Sequence, residues 1–375
     1  MLLGHPQDPH WPAPEAALTE ARRFLATLKD RRVVVVPHPG VEGLTAGVLA
    51  LRALQAAGAR VTARVPDKGE HAFSPAMRDR LRLVAPDALV ILEPANRPPP
   101  RADAGKTAGT ESQGANATGS PNGIPSLVVA PQGTTDGYPG STLLSARGLE
   151  PAVNASLLTY LLASPSVIPG PMEWLAVLGT VAAHGADAPI PFMKDALRRA
   201  GRTAVTEAVS LLNAARRSSR FAAPMALEVL LRAGSATDIT RGNVPGVDTL
   251  HDCRLEVQRE TARCSKTPPR TTNNIVFLLF SSEAQVHPQV AVRWAQRLPD
   301  HIVIAANTGY LPGKVDFSVR SRVPMVLEAL LATLNFDPGV SDLSLPQADF
   351  LRLAASLGFK GLRGTDVERR GAFPG

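Results

Sequence analysis

Short, wholly apolar runs separated by helix-forming stretches constrain this chain most. Arg32-Val33-Val34-Val35-Val36-Pro37 sets four valines in a row. A β-branched run without polar alternation reads as a strand covered on both faces, as in a parallel sheet. Ala88-Leu89-Val90-Ile91-Leu92 and Ser126-Leu127-Val128-Val129 repeat the pattern, and Arg60–Val65 supplies a further strand. Between them Leu44–Ala57, stopped by Gly58, and Met77–Leu83 read as helices, with Gly40–Gly43 as a turn. Pro14–Leu28 is a helix ahead of the first strand. Strand and helix in alternation is the signature of a doubly wound α/β sheet. Such sheets bind ligands at the carboxyl ends of their strands.

Asn96–Gly123 interrupts the alternation. It is mostly Pro, Gly, Ser, Thr, Ala and Asn with almost no large apolar residue, so it cannot bury enough apolar surface to order itself, and it is expected to be a disordered insertion. From 152 to 265 the pattern is helical, with segments at Asn154–Ala163, Met172–His184, Phe192–Ala200, Ala204–Ala214, Ala223–Arg232 and Thr249–Arg263. Ser265–Thr272, with Pro268-Pro269, reads as a linker. Beyond it Asn274–Phe280, His301–Ala305 and Val315–Arg320 are expected strands, while His287–Leu298, Pro324–Thr333 and Gln347–Leu357 are expected helices. The expected organisation is a first domain at 1–265 and a smaller α/β domain at 266–375.

The length of 375 residues suits two or three domains at roughly 100–200 residues each. No apolar run approaches the ~18–20 residues of a membrane span, and the N-terminus lacks the layout of a secretory signal, so a cytoplasmic, membrane-free location is expected. The two cysteines, Cys253 and Cys264, exclude a disulfide framework and a four-cysteine zinc site. They lie eleven apart on one expected helix, which suits buried packing. Net charge is +7, and only seven of the 40 basic residues are lysine. Codon bias and phosphate recognition both produce such arginine enrichment.

Three strand ends carry the candidate chemistry of the first domain. The turn after the first strand is His38-Pro39-Gly40-Val41-Glu42-Gly43, Glu93 follows the third strand, and Ala130-Pro131-Gln132 follows the fourth. His38, Glu42 and Glu93 could hold a divalent cation, or could be solvated residues of ordinary turns. His184 could be a ligand or a structural helix-end histidine.

In its motifs the chain resembles the DHH phosphoesterases, and within them the RecJ-like branch of single-strand exonucleases. That family opens with a strand followed by Asp-x-Asp-x-Asp-Gly or His-x-x-x-Asp-Gly. Val36-Pro37-His38-Pro39-Gly40-Val41-Glu42-Gly43 matches the frame, with Gly40 and Glu42 at metal-binding aspartate positions. Glu93 stands where a buried strand ends in aspartate, and Ala130-Pro131-Gln132 stands at the Asp-His-His of the family name. Leu178-Gly179-Thr180-Val181-Ala182-Ala183 matches Leu-Gly-Thr-Ile/Val-Ala-Asp, with Ala183 for the metal-binding aspartate. Leu212-Asn213-Ala214-Ala215-Arg216-Arg217 is similar to the family's Ile-Asn-Ala-Ala-Gly-Arg segment. In the second domain, Val286-His287-Pro288-Gln289-Val290 resembles the His-Pro-Gly-Val of a DHHA1 domain, and Phe317-Ser318-Val319-Arg320-Ser321 its Gly-Ser-Gly-Arg-Ser phosphate loop.

The resemblance implies an N-terminal parallel DHH-like sheet, a helical connector and a C-terminal α/β DHHA1-like domain. It also implies that catalysis by two divalent ions is lost, because the ligand positions His38, Glu42, Glu93, Ala130, Pro131, Gln132 and Ala183 are relics. No cofactor is then expected. An active phosphodiesterase with an altered metal site would need Mn2+ or Mg2+ on His38, Glu42 and Glu93. The implied partner is single-stranded DNA or RNA, held by Asn213, Arg216, Arg217, His287, Ser318, Arg320 and Ser321, with a protein partner in replication or repair as a further implication. The competing account of Arg216 to Arg220 is a solvated helix end favoured by the helix dipole.

Overall fold

The computed structural model describes residues 11–94, 123–163, 171–190, 192–323 and 342–368. The expected insertion at 96–123, apart from Gly123, and the expected helix Pro324–Thr333 lie outside the described residues. The chain forms two compact units, residues 1–213 with 223–250 and residues 214–222 with 251–375.

The first unit is built on β1 (Arg32–Pro37), β2 (Arg60–Ala63), β3 (Ala88–Leu92), β4 (Ser126–Val129) and β5 (Thr142–Leu144), in the order β2-β1-β3-β4-β5. Every pairing is parallel. The valine run behaves as its composition dictates: Val33 to Val36 are each at most 1% exposed. Alternation sends Val34, Val36, Leu89, Ile91 and Val128 to one face, where Met77 and Leu81 of α3 (Pro75–Val84) cover them. The helix α2 (Val41–Ala56) packs against β1 and β2 and also against α4 (Ala155–Ala163) and α5 (Glu173–His184). Covered on several sides, α2 is apolar almost all round. The helices α1 (Glu15–Ala26), α6 (Met193–Ala200), α7 (Arg202–Arg217), α8 (Ala223–Arg232) and α9 (Ala236–Thr240) complete this part, with the last turn of α7, from Ala214, in the second unit.

The second unit begins with most of α10 (Val247–Cys264) and carries β6 (Arg270–Thr272), β7 (Ile275–Phe280), β8 (Ile302–Asn307), β9 (Lys314–Arg320) and β10 (Asp342–Pro346). The order is β10-β9-β8-β7-β6, with β7 and β8 parallel and the other pairs antiparallel. On one face Val276, Leu278, Val303 and Ala305 meet Val290 and Ala291 of α11 (His287–Arg297). On the other Phe277, Ile304, Val315, Phe317 and Val319 meet Phe350 and Ala354 of α12 (Gln347–Ser356), and Val367 of α13 (Gly364–Val367) joins the same core.

Four expectations need correction. The first helix of the sheet begins at Val41, not Leu44, because Gly40 already acts as its extended N-cap; Glu42 therefore sits in a helical first turn. The second strand stops at Ala63, short of Val65. The expected linker Ser265–Thr272 contributes β6, because Arg270–Thr272 pairs antiparallel with β7 and forms an edge of the sheet. The unexpected strands β5 and β10 are short edges whose residues are only half-buried or exposed over most of their length. Among the described residues no helix is long and apolar enough to cross a membrane.

Candidate functional site

The strand order of the first sheet reverses at β1: the chain runs outward to β2, then crosses back to β3 on the other side. Such a switch point leaves a crevice at the carboxyl ends of the flanking strands. The hydrogen-bond ladder continues one residue past each strand. His38 N–H donates to Leu92 O at 2.9 Å, Glu93 N–H to Val129 O at 2.9 Å, and Ala130 N–H to Leu144 O at 3.0 Å. That continuation sets His38, Glu93 and Ala130 side by side. Glu93 takes a left-handed backbone with φ of 51°, an uncommon conformation for a residue with a Cβ. Its Oε2 lies 3.6 Å from His38 Nδ1 and has no hydrogen-bond partner among the described residues. His38 Nδ1 in turn accepts the Gly40 N–H at 3.1 Å.

Glu42 reaches the same crevice from the first turn of α2. Its Oε1 accepts the Ala155 N–H, 2.6 Å away at the start of α4. Burial and the neighbouring Glu93 charge push the Glu42 carboxyl up to about 8, against the pull of that N–H. The folded chain therefore holds a proton at Glu42 more tightly than the unfolded one.

The fourth motif forms the wall behind these groups. A Cβ on Gly179 would collide with the Ser156 side chain and lie 2.6 Å from Thr45 Oγ1. Only glycine lets α5 approach α4 and α2 so closely. The Thr45 and Ser156 hydroxyls are hydrogen-bonded to one another. Thr180 Oγ1 accepts from Asn154 Nδ2 at 2.8 Å, and Asn154 Oδ1 caps α4 by accepting the Leu157 N–H at 2.9 Å. Asn154 was legible only as a helix start; its second role needed the packing. The result is an open cleft of about 900 Å³ lined by Glu42, Glu93, Ala130, Pro131, Gln132, Asn154 and Ala183, among others. His184 lines it too, its imidazole held below the usual histidine range by burial, with Glu150 opposing.

These donors do not fit a pair of divalent ions. Two-metal centres need several carboxylates and imidazoles around both ions. Here Gln132, Ala130, Pro131 and Ala183 add no anionic ligand, Glu42 already binds a backbone N–H, and the Gly40 N–H occupies His38 Nδ1. An aspartate at position 40 would bring its Cβ within 2.9 Å of His38 Nδ1, so His38 would have to turn to admit it. Among the described residues no group of three or more His, Cys, Asp or Glu side chains is placed to hold a metal ion.

The second unit brings together a different set. Arg216 and Arg217 end α7, and Gln285 N–H donates to Arg217 O at 2.7 Å. That bond ties the loop before α11 to the arginine turn. His287 opens α11 ahead of Pro288 and is 2% exposed. Burial drives its imidazole down to about 3; Asp342 opposes the shift, and Arg216, Arg320 and Arg217 add to it. His287 is therefore neutral. Burial, with the Arg216 charge beside it, lowers the Arg217 guanidinium to about 10, still protonated at neutral pH. Arg216 Nε, Arg217 Nε and His287 Nδ1 are buried and have no hydrogen-bond partner among the described residues. Buried arginine N–H groups of this kind are ordinarily paired with a protein acceptor, ordered water or a bound anion, and leaving one unpaired costs about 1–3 kcal/mol. Ser318 and Arg320, on β9, both hydrogen-bond Asp342 Oδ1, Arg320 Nη2 at 2.7 Å.

The remaining expected residues have local partners or belong to the first unit. Ser321 Oγ accepts the Val323 N–H at 3.1 Å within its own loop. Asn213 is half-buried on α7, in the first unit. Arg220 pairs with Asp252 at 3.7 Å. Asp342 had no sequence signal, because its position depends on strand register. Cys253 and Cys264 are buried and unbridged.

No protein-family model and no curated protein sequence matches the chain. Solved structures do match its fold. RecJ of Thermus thermophilus in complex with Mn2+ superposes with a TM-score of 0.60 at 18% identity, over 87% of this chain and 50% of that one. An exonuclease RecJ bound to manganese gives 0.59 at 20% identity, over 85% of each chain. The DHH domain of a member of a ribosomal-protein family gives 0.58 at 11% identity, over 92% of this chain and 90% of that one. The chain thus has a RecJ/DHH-like fold, and it spans half the length of the Thermus protein.

Proposed function

We propose that this chain binds single-stranded nucleic acid through the arginine cluster of its second unit and does not cut it. The observation that carries this is the pair of buried Nε donors on Arg216 and Arg217, without a partner among the described residues and set beside a neutral His287. A backbone phosphate oxygen would supply such donors with an acceptor, and arginine suits it through planar, paired N–H groups. The RecJ structures with the same fold are those of an exonuclease, which supports a nucleic-acid ligand. The altered strand ends support loss of hydrolysis: Glu42, Glu93 and His38 do not assemble a two-ion ligand set.

Fluorescence anisotropy with a labelled oligodeoxythymidine at low salt tests binding, and incubation of an end-labelled strand with Mn2+ tests cleavage. Saturable binding without shortening of the strand is the expected result. Absence of binding at low salt overturns the first part. Mn2+-dependent shortening that disappears in Glu42→Ala overturns the second.

A further inference from the structure

The acid at the arginine cluster is the least expected part of it. β10 pairs antiparallel with β9, and Asp342 stands directly opposite Ser318. Paired residues on neighbouring strands share a face. Val315, Phe317 and Val319 point into the core under α12, so Asp316, Ser318 and Arg320 point to the opposite face, which α11 covers. Register therefore delivers the Asp342 carboxylate to the side where His287, Arg216 and Arg217 lie. One oxygen, Oδ1, accepts from both Ser318 Oγ and Arg320 Nη2. A phosphate oxygen would use the same two donors in the same way. Arg216 Nε and Arg217 Nε, whose charges bear on the same groups, have no partner among the described residues.

We propose that Asp342 is an internal anion that sets the affinity of this site: it occupies Arg320 and Ser318 until an incoming phosphate displaces it. This rests on the single-strand reading above and adds its regulation. Burial works against an ionised Asp342, but Arg320 and Ser318 outweigh it and hold the carboxyl below its usual range. The carboxylate thus persists at neutral pH and balances part of the repulsion among Arg216, Arg217 and Arg320. Removing it destabilises the empty protein and strengthens the bound one. A purely structural ion pair would give only the loss of stability.

The test compares wild type, Asp342→Asn, Arg320→Ala and the double variant, by anisotropy with the labelled oligodeoxythymidine and by thermal melting with and without inorganic pyrophosphate at fixed ionic strength. Asparagine keeps an acceptor for Ser318, and Asp342→Thr is a second neutral variant suited to a strand. Asp342→Asn should bind the strand roughly ten- to a hundred-fold more tightly at low salt, the worth of one charge-assisted contact. Its log K against log salt should steepen by about 0.7, for one more phosphate contact. The gain should vanish when Arg320→Ala is added. Unchanged strand affinity and equal pyrophosphate stabilisation in wild type and both neutral variants overturn the internal-anion role and leave the single-strand reading standing. No strand binding by any protein, with pyrophosphate stabilising Asp342→Asn more than wild type, overturns the single-strand reading and leaves the internal anion standing. A gain that survives loss of Arg320 overturns the displacement.

Discussion

Substituting Glu42 by glutamine gives a pH-dependent test of the first-unit crevice. The carboxyl titrates near 4.5 in the unfolded chain and is pushed up to about 8 in the folded one, by burial and then by Glu93. The folded state thus holds this proton more tightly. Its contribution is fully present below about pH 4.5 and is lost as pH rises through about 8. Each pH unit separating the two titrations is worth about 1.4 kcal/mol. The crevice is open to solvent, which screens the Glu93 charge, so we expect a total loss of about 2–4 kcal/mol rather than the full product. Glutamine keeps an Oε1 acceptor for the Ala155 N–H and carries no charge. Urea unfolding at about pH 5 should show Glu42→Gln within about 1 kcal/mol of wild type, and at about pH 9 it should be more stable by about 2–4 kcal/mol. Glu93→Gln should reproduce part of the gain. A stability difference that does not vary with pH, or a wild type more stable than Glu42→Gln at high pH, refutes the reasoning.

Three further outcomes follow from the same packing. Gly179→Ala should destabilise the chain by about 2–4 kcal/mol in urea unfolding, since its Cβ would collide with Ser156 and crowd Thr45. Asn154→Ala should cost about 2–3 kcal/mol, because it removes both the cap on α4 and the bond to Thr180 from a site 1% exposed. Cys264, whose thiol burial drives up to about 12, and Cys253, raised for the same reason, should resist alkylation in the native protein and react only on unfolding, as counted by mass spectrometry.

What the sequence made legible follows how much apolar surface each segment must hide. Runs such as Val33–Val36, Ala88–Leu92 and Ile275–Phe280 have no exposed face, so composition alone identifies them as central strands. The edges Thr142–Leu144, Arg270–Thr272 and Asp342–Pro346 pair on one side only and carry polar or half-buried residues, so no apolar run marks them. The strand-end rule led to His38, Glu93 and Ala130, because backbone ladders fix where a strand stops. It could not show that Glu42 starts a helix and binds Ala155, or that Gly179 is held at glycine by Ser156 and Thr45. The arginine cluster was half legible. Arg216, Arg217 and Arg320 stand on recognisable segments, whereas Asp342 reaches Ser318 only through β9–β10 register.

The central claim is that the second-unit arginines hold the backbone of a single strand. A salt titration of oligodeoxythymidine binding by wild type and Arg217→Ala addresses it most directly, with circular dichroism to confirm that both are folded. The prediction is a loss of roughly ten-fold or more at low salt and a log–log slope shallower by about 0.7 in the variant. Equal affinity and equal slope for the two proteins would contradict it.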